Sequence, residues 1–136
     1  MRPVVPADLV RDFWTAMNGN DWRDVARRFL SDDFQGLWPQ SAEVIAGRDE
    51  FAAVNGAFPG QGGWRFQIIS LLGDGPQVVS DVRVTQPDLP MVARVITFHE
   101  VQDGLIRQQT EFWPDPYPVP DWRAGLLRVD PDLAAF

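Results

Sequence analysis

The chain has 136 residues, 45% of them hydrophobic and 12% aromatic, with 19 acidic against 12 basic side chains and a formal net charge of −7. That length suits one domain spanning 1–136, able to bury roughly 68% of the surface of its unfolded chain, and the acid excess leaves no basic stripe for nucleic acid. The absence of cysteine excludes disulfides and thiolate chemistry, and no apolar run approaches the roughly 18 residues of a membrane span.

The opening residues, Met1 to Pro6, lack the apolar run of a signal peptide, so the expected location is cytoplasmic. From Ala7 to Met17, Leu9, Val10, Phe13, Trp14 and Met17 recur at helical spacing, and Asn18-Gly19-Asn20 closes that helix. A second helix starts on Asn20 or Asp21 as N-cap and carries Trp22, Val25, Ala26, Phe29 and Leu30 on one face. Phe34 to Trp38, bounded by Asp32-Asp33 and Pro39, reads as a short strand. After an irregular stretch, Gly47 to Phe58 returns to helical period and Pro59-Gly60 stops it. Gly60, Gly62 and Gly63 form a loop and not a phosphate cradle, because no Lys-Ser/Thr and no helix follow.

From Trp64 the pattern becomes β. Trp64, Phe66 and Ile68 alternate with Arg65, Gln67 and Ile69, Gly73 to Pro76 turn the chain, and Val78 to Thr85 is rich in branched residues. Pro87 to Pro90 turns it again into Met91 to Val101, and Asp103-Gly104 is a strong two-residue hairpin signal. A two-residue turn places Glu100 opposite Arg107, an opposite-charge pair that supports the register. One face of the hairpin then holds Val95, Thr97, His99, Val101, Ile106, Gln108, Thr110 and Phe112, apolar at its ends and polar in its middle, as expected over a cavity. The other holds Arg94, Ile96, Phe98, Glu100, Arg107, Gln109, Glu111 and Trp113, a mixture of charge with Ile96, Phe98 and Trp113 that is too apolar for free solvent and suggests a partner surface. A bulge in either strand exchanges the sets and brings Gln109, Glu111 and Trp113 inward.

His99 is the only histidine, and its ordinary pKa near neutrality makes it the sharpest candidate for proton transfer; the competing reading is a packed core histidine. One histidine without clustered carboxylates cannot build a metal site. Asp81 and Arg83 share a strand face, either as a plain ion pair or as a pair that polarises a substrate.

Several segments together resemble one family. They are Leu30-Ser31-Asp32-Asp33-Phe34 entering the first strand, Ala46-Gly47-Arg48-Asp49-Glu50-Phe51 opening the third helix, Phe98 to Ile106 around the hairpin, and Thr110 to Tyr117 with Pro120 to Ala124. In order and spacing they resemble the SnoaL-like polyketide cyclase group of the nuclear-transport-factor-2-like (NTF2-like) fold over roughly residues 7–126. The resemblance implies an α+β cone, three N-terminal helices packed on a curved, mostly antiparallel sheet, with a hydrophobic pocket at its open end. It implies a small hydrophobic or aromatic ligand and no cofactor or metal. The reactions it suggests are those of cyclases, isomerases and dehydratases, with a non-catalytic binding or assembly domain as the alternative. Phe13, Trp14, Trp38, Phe66 and Phe112 would wall the pocket, and Thr97, Gln108 and Thr110 would supply polar contacts beside His99. Ile96, Phe98 and Trp113 would form a homodimer face. The family's chemistry does not carry over residue by residue. The isomerase's tyrosine donor falls at Phe13, its base at Trp38 and its protonated acid at Thr97; the epoxide hydrolase's residues fall near Val82, Val84 and Pro114. The cyclase's acid is best matched by Asp115, one residue displaced, which leaves His99 and Asp115 as the candidate catalytic pair.

Overall fold

The computed structural model describes residues 3–58 and 62–136; the expected Pro59-Gly60 helix stop and the first glycine of the loop lie outside them. Helix α1 (Pro6–Met17) starts with proline at its first turn, where the missing N–H costs nothing, and buries Val10, Phe13, Trp14 and Met17. Helix α2 (Trp22–Phe29) is capped by the Asp21 carboxylate, which accepts from the Asp24 amide at 3.2 Å. Helix α3 (Gly47–Ala57) opens where the Glu50 carboxylate accepts from the Ala46 amide at 2.5 Å, one half of a capping box, since Ala46 has no side-chain oxygen to return the bond.

Among the described residues six strands form one sheet in the order β2-β1-β6-β5-β4-β3. They are β1 (Leu30–Trp38), β2 (Glu43–Ala46), β3 (Arg65–Asp74), β4 (Gln77–Gln86), β5 (Leu89–Gln102) and β6 (Leu105–Phe112). All pairings are antiparallel except β1 with β6. The expected α+β class with three helices and a mostly antiparallel sheet is therefore present. Two differences stand out. Strand β1 begins four residues earlier than its apolar run, and the segment read as irregular contains β2, too short to show a period of its own.

The helices lie against one face of the sheet and close the core. Phe13 sits at its centre, edge-on to Trp14, Phe29 and His99 at centroid distances of 5.0, 6.1 and 6.2 Å. The turn between α1 and α2 is stitched to the free edge of the sheet. Asn20, held at φ 55°, donates to the Trp64 carbonyl at 2.9 Å and accepts from its amide at 2.8 Å. Asn18 does the same to Phe66 at 3.3 and 2.7 Å. Two asparagine side chains thus continue the ladder beyond β3 and satisfy an edge that would otherwise be open.

The Asp103-Gly104 turn has positive φ at both residues, 54° and 76°, as a type I′ hairpin requires. Next to it Val101 faces Ile106, but Glu100 faces Gln108 and His99 faces Gln109. Arg107 is the extra residue of a bulge. Beyond it β6 is displaced by one position, and its side chains exchange faces relative to the unbulged register.

Candidate functional site

The bulge decides what the inner face carries. Gln109 and Glu111 are buried on it, whereas Gln108 and Thr110 are half-buried and Phe112 is exposed on the outer side beside Phe98, centroid to centroid 6.4 Å. The placement of Gln108, Thr110 and Phe112 on the cavity side is thereby corrected, and so is that of Trp113 on the outer face. Trp113 packs against the core, edge-on to Trp38 at 6.4 Å. Arg107 still reaches Glu100 at 3.6 Å across the bulge, so the charge pair that supported the unbulged register is present in the bulged one as well.

Three neighbouring strands now present a band of buried polar side chains: Gln109 and Glu111 on β6, Thr97 and His99 on β5, and Ser80 on β4. Cross-strand pairing puts Thr97 between Ser80 and Glu111, and His99 opposite Gln109. The band divides into two hydrogen-bonded groups.

In the first, the Trp14 indole N–H donates to Ser80 Oγ at 3.0 Å, Ser80 Oγ lies 2.8 Å from His99 Nε2, and Gln109 Nε2 lies 3.2 Å from His99 Nδ1. An amide N–H on Nδ1 leaves the imidazole proton on Nε2, shared with the serine oxygen. His99 is completely buried, and burial pushes its pKa down to about 3. It is a neutral, fully partnered core group. This arrangement speaks against the candidate catalytic role of His99, because each ring nitrogen has a single hydrogen or lone pair and both are already committed to Ser80 and Gln109. Asp115 is exposed in the segment after β6 and is not brought to His99.

In the second group, the Trp38 indole N–H donates to Glu111 Oε1 at 3.0 Å and the Thr97 hydroxyl donates to Oε2 at 2.9 Å. Glu111 is 9% exposed. Among the described residues no salt bridge includes it. Burial pushes its carboxyl above the ordinary range, against the two donors, which pull it down. Trp38, which holds it, and Trp113, edge-on to Trp38, are only partly buried and pack on the core, and the Trp113 indole nitrogen is buried without a partner. Glu111 is the residue that the unbulged register turned outward. Its signal was the shared period of Gln109, Glu111 and Trp113, which becomes apolar-facing only after one inserted residue.

Of the other expected wall residues, Phe13, Trp14, Trp38, Phe66 and Thr97 all lie on the inner side, Phe66 packing on Trp14 at 5.7 Å. Asp81 does not pair with Arg83. It receives two hydrogen bonds from Arg94, at 2.8 and 2.5 Å, on the outer face. Two surface clefts of about 380 and 390 Å³ lie elsewhere, one between α2 and α3 beside Trp22 and Arg23, the other at the hairpin end beside Asp33, Arg48 and Arg107. Among the described residues no three His, Asp or Glu side chains gather as a metal site, and no helix is long and apolar enough to cross a membrane.

A helix-backed sheet cone with a polar inner band is the architecture of the NTF2-like proteins, and the sequence match is more specific. Residues 10–109 match the SnoaL-like domain, and the chain belongs to that family. A candidate ketosteroid isomerase from Kribbella flavida DSM 17836 is 32% identical over 93% of this chain and 90% of its own, with a TM-score of 0.80. An NTF2-like protein of unknown function from Burkholderia xenovorans LB400 is 23% identical over 90% of this chain and 93% of its own, at 0.71. A candidate SnoaL-like polyketide cyclase from Jannaschia sp. CCS1 is 17% identical over 83% and 90%, at 0.64. No curated protein matches the chain.

Proposed function

We propose that this protein binds a small hydrophobic or aromatic carbonyl compound on the inner face of the cone and moves a proton on it without a cofactor, as a cyclase, isomerase or dehydratase does. Glu111 is the acid–base group. The observation that carries this reading is a buried carboxyl with a raised pKa, held by the Trp38 N–H and the Thr97 hydroxyl, with no salt-bridge partner among the described residues. An unpaired buried carboxyl costs stability, and a carboxyl whose pKa burial has raised above the ordinary range is the kind of group that general acid–base catalysis uses. Trp38 and Thr97 stand at the two positions where the isomerase resemblance puts its base and its protonated acid; here both serve one carboxyl from the neighbouring strand. Trp38 stands edge-on to Trp113 beside it, and the buried, unpartnered Trp113 N–H is the donor this reading gives to the substrate's carbonyl oxygen. The sequence contains no lysine, so a lysine Schiff base has no part in the chemistry.

The test is deuterium uptake next to the carbonyl for a panel of cyclic and aromatic ketones and keto esters in D2O, followed by NMR. Uptake should be catalysed by the wild type and fall by about 10² to 10⁴ in Glu111→Gln, while His99→Gln, where folded, retains it. Absence of catalysed uptake across the panel, or full activity in Glu111→Gln, overturns the proposal. The second reading, a non-catalytic binding domain, is favoured by the fully satisfied Trp14-Ser80-His99-Gln109 line; compounds that bind without uptake in the same experiment select it.

A further inference from the structure

Among the described residues six polar or charged side chains are buried: Ser80, Gln86, Thr97, His99, Gln109 and Glu111. Five of them bond to one another or to a tryptophan N–H in the two groups of the inner band. Gln86 does not. It is 4% exposed, and neither its Oε1 nor its Nε2 has a hydrogen-bond partner. A buried group without a bond costs its full desolvation, so folded proteins leave very few such atoms, and here one amide contributes two. Strand β4 turns Val78, Ser80, Val82, Val84 and Gln86 inward in strict alternation, and a branched apolar residue in the last of these positions would pack there without that cost. Gln86 faces Leu89 on β5, and Val84, the inward residue before it, faces Ala93 on β5 and Phe66 on β3. Leu89, Ala93 and Phe66 are only partly buried and pack on the core, so the amide stands at the end of an apolar, incompletely covered stretch of the inner face. Ser80, in the row that holds Thr97 and Glu111, lies six residues back along β4, about 20 Å at ~3.3 Å per residue. No single group of a ligand touches both the amide and the carboxyl.

We propose that Gln86 is the specificity residue of a ligand subsite at this end of the inner face, and that it takes a group presenting an adjacent hydrogen-bond donor and carbonyl acceptor, as a primary carboxamide or a lactam does. The proposal rests on the reading that the inner face binds a small hydrophobic or aromatic molecule, and adds which polar group that molecule carries remote from Glu111. A glutamine amide offers a carbonyl oxygen and an N–H donor side by side in one plane. A ligand group with the complementary pair closes both bonds at once. A group with the carbonyl alone leaves Oε1 stranded, the imbalance by which a buried polar site rejects an analogue that lacks a donor. A carboxylate is excluded for the same reason, since it sets a second acceptor against Oε1. The amide does not ionise, so selection at Gln86 is independent of pH, in contrast to any step through Glu111.

The experiment measures binding and not turnover, by isothermal titration calorimetry of the full chain with 2-naphthamide and with 2-acetonaphthone, in which a methyl group replaces the amide NH2 at nearly the same size. The wild type should bind 2-naphthamide at least about tenfold more tightly than the ketone, with the same ratio at pH 5.5 and pH 8. Gln86→Met, of the same length, and Gln86→Leu should bind the two compounds with equal affinity. Because the stranded atoms are gone, both variants should unfold at a urea concentration equal to or above that of the wild type. Equal affinities in the wild type, or a preference that survives in Gln86→Met, overturn the assignment of Gln86 and leave the inner-face reading standing. A urea midpoint lowered in both variants overturns it too, since the amide then has a partner inside the fold, such as a buried water. Binding of neither compound to the wild type overturns the assignment together with the reading it rests on.

Discussion

Replacing His99 isolates one proton in the stability of the whole chain, because the sequence has no other histidine. In the folded protein burial holds its pKa at about 3, against about 6.5 in an unfolded chain. Between those values the unfolded state binds a proton that the folded state refuses, so stability is full above pH 6.5 and falls as the pH drops towards 3. At about 1.4 kcal/mol per pH unit the loss reaches at most about 5 kcal/mol, comparable with the whole stability of many small domains. The assay is urea unfolding at a series of pH values for the wild type and for His99→Gln. Carboxylates contribute alike to both, so the difference between the two curves should slope by one proton below pH 6.5 and be flat above it. The imidazole Cε1–H resonance, single in this chain, should hold its neutral position through pH 5. Parallel stability curves, or a resonance titrating near 6.5, refute the account of a neutral histidine locked between Ser80 and Gln109.

Other consequences can be measured in the same way. Ser80→Ala removes the oxygen shared by Trp14 and His99 and strands two buried nitrogens, so unfolding free energy should fall by about 1–3 kcal/mol; a loss within measurement error would show that the line contributes nothing. Asn20→Ala loses both bonds to Trp64 and puts a Cβ-bearing residue without compensating polar groups at φ 55°, a cost of about 2 kcal/mol or more, and Asn20→Gly should cost less because it relieves the backbone. Glu111 titrates in the opposite sense to His99. Its raised pKa stabilises the fold below the ordinary glutamate value and that contribution is lost as the pH rises through the folded value. Glu111→Gln should therefore gain on the wild type as the pH is raised from 5 to 8, read from urea midpoints, and an unchanged difference would mean an ordinary carboxylate.

Local chemistry made most of the fold readable. The α1 stripe, the Asp21 cap and the Asp103-Gly104 turn each follow from a few adjacent residues, and each is where the sequence puts it. What distance along the chain conceals was not readable. Strand β2 exists because Ile45 and its neighbours find β1, and the Trp14–Ser80 bond joins residues 66 positions apart. The inner and outer faces of β6 were inverted for a physical reason: one extra residue at Arg107 changes every side chain beyond it, while the long arginine side chain reaches Glu100 in either register. The inward placing of Thr97 and His99 is legible because β5 has no extra residue between them and the Asp103-Gly104 turn, the bulge being on β6. Glu111 could be had only by choosing the bulge.

Glu111, not His99, is the proposed proton-transfer group, and the direct test is a titration of glutamate side-chain carbons by 13C NMR in protein labelled at glutamate, with Glu111→Gln to assign the resonance. The Glu111 carbon should titrate with a midpoint above the ordinary glutamate value while the His99 ring stays neutral in the same sample. A Glu111 midpoint at or below that ordinary value would contradict the claim, for the carboxylate would then be a plain hydrogen-bond acceptor for Trp38 and Thr97.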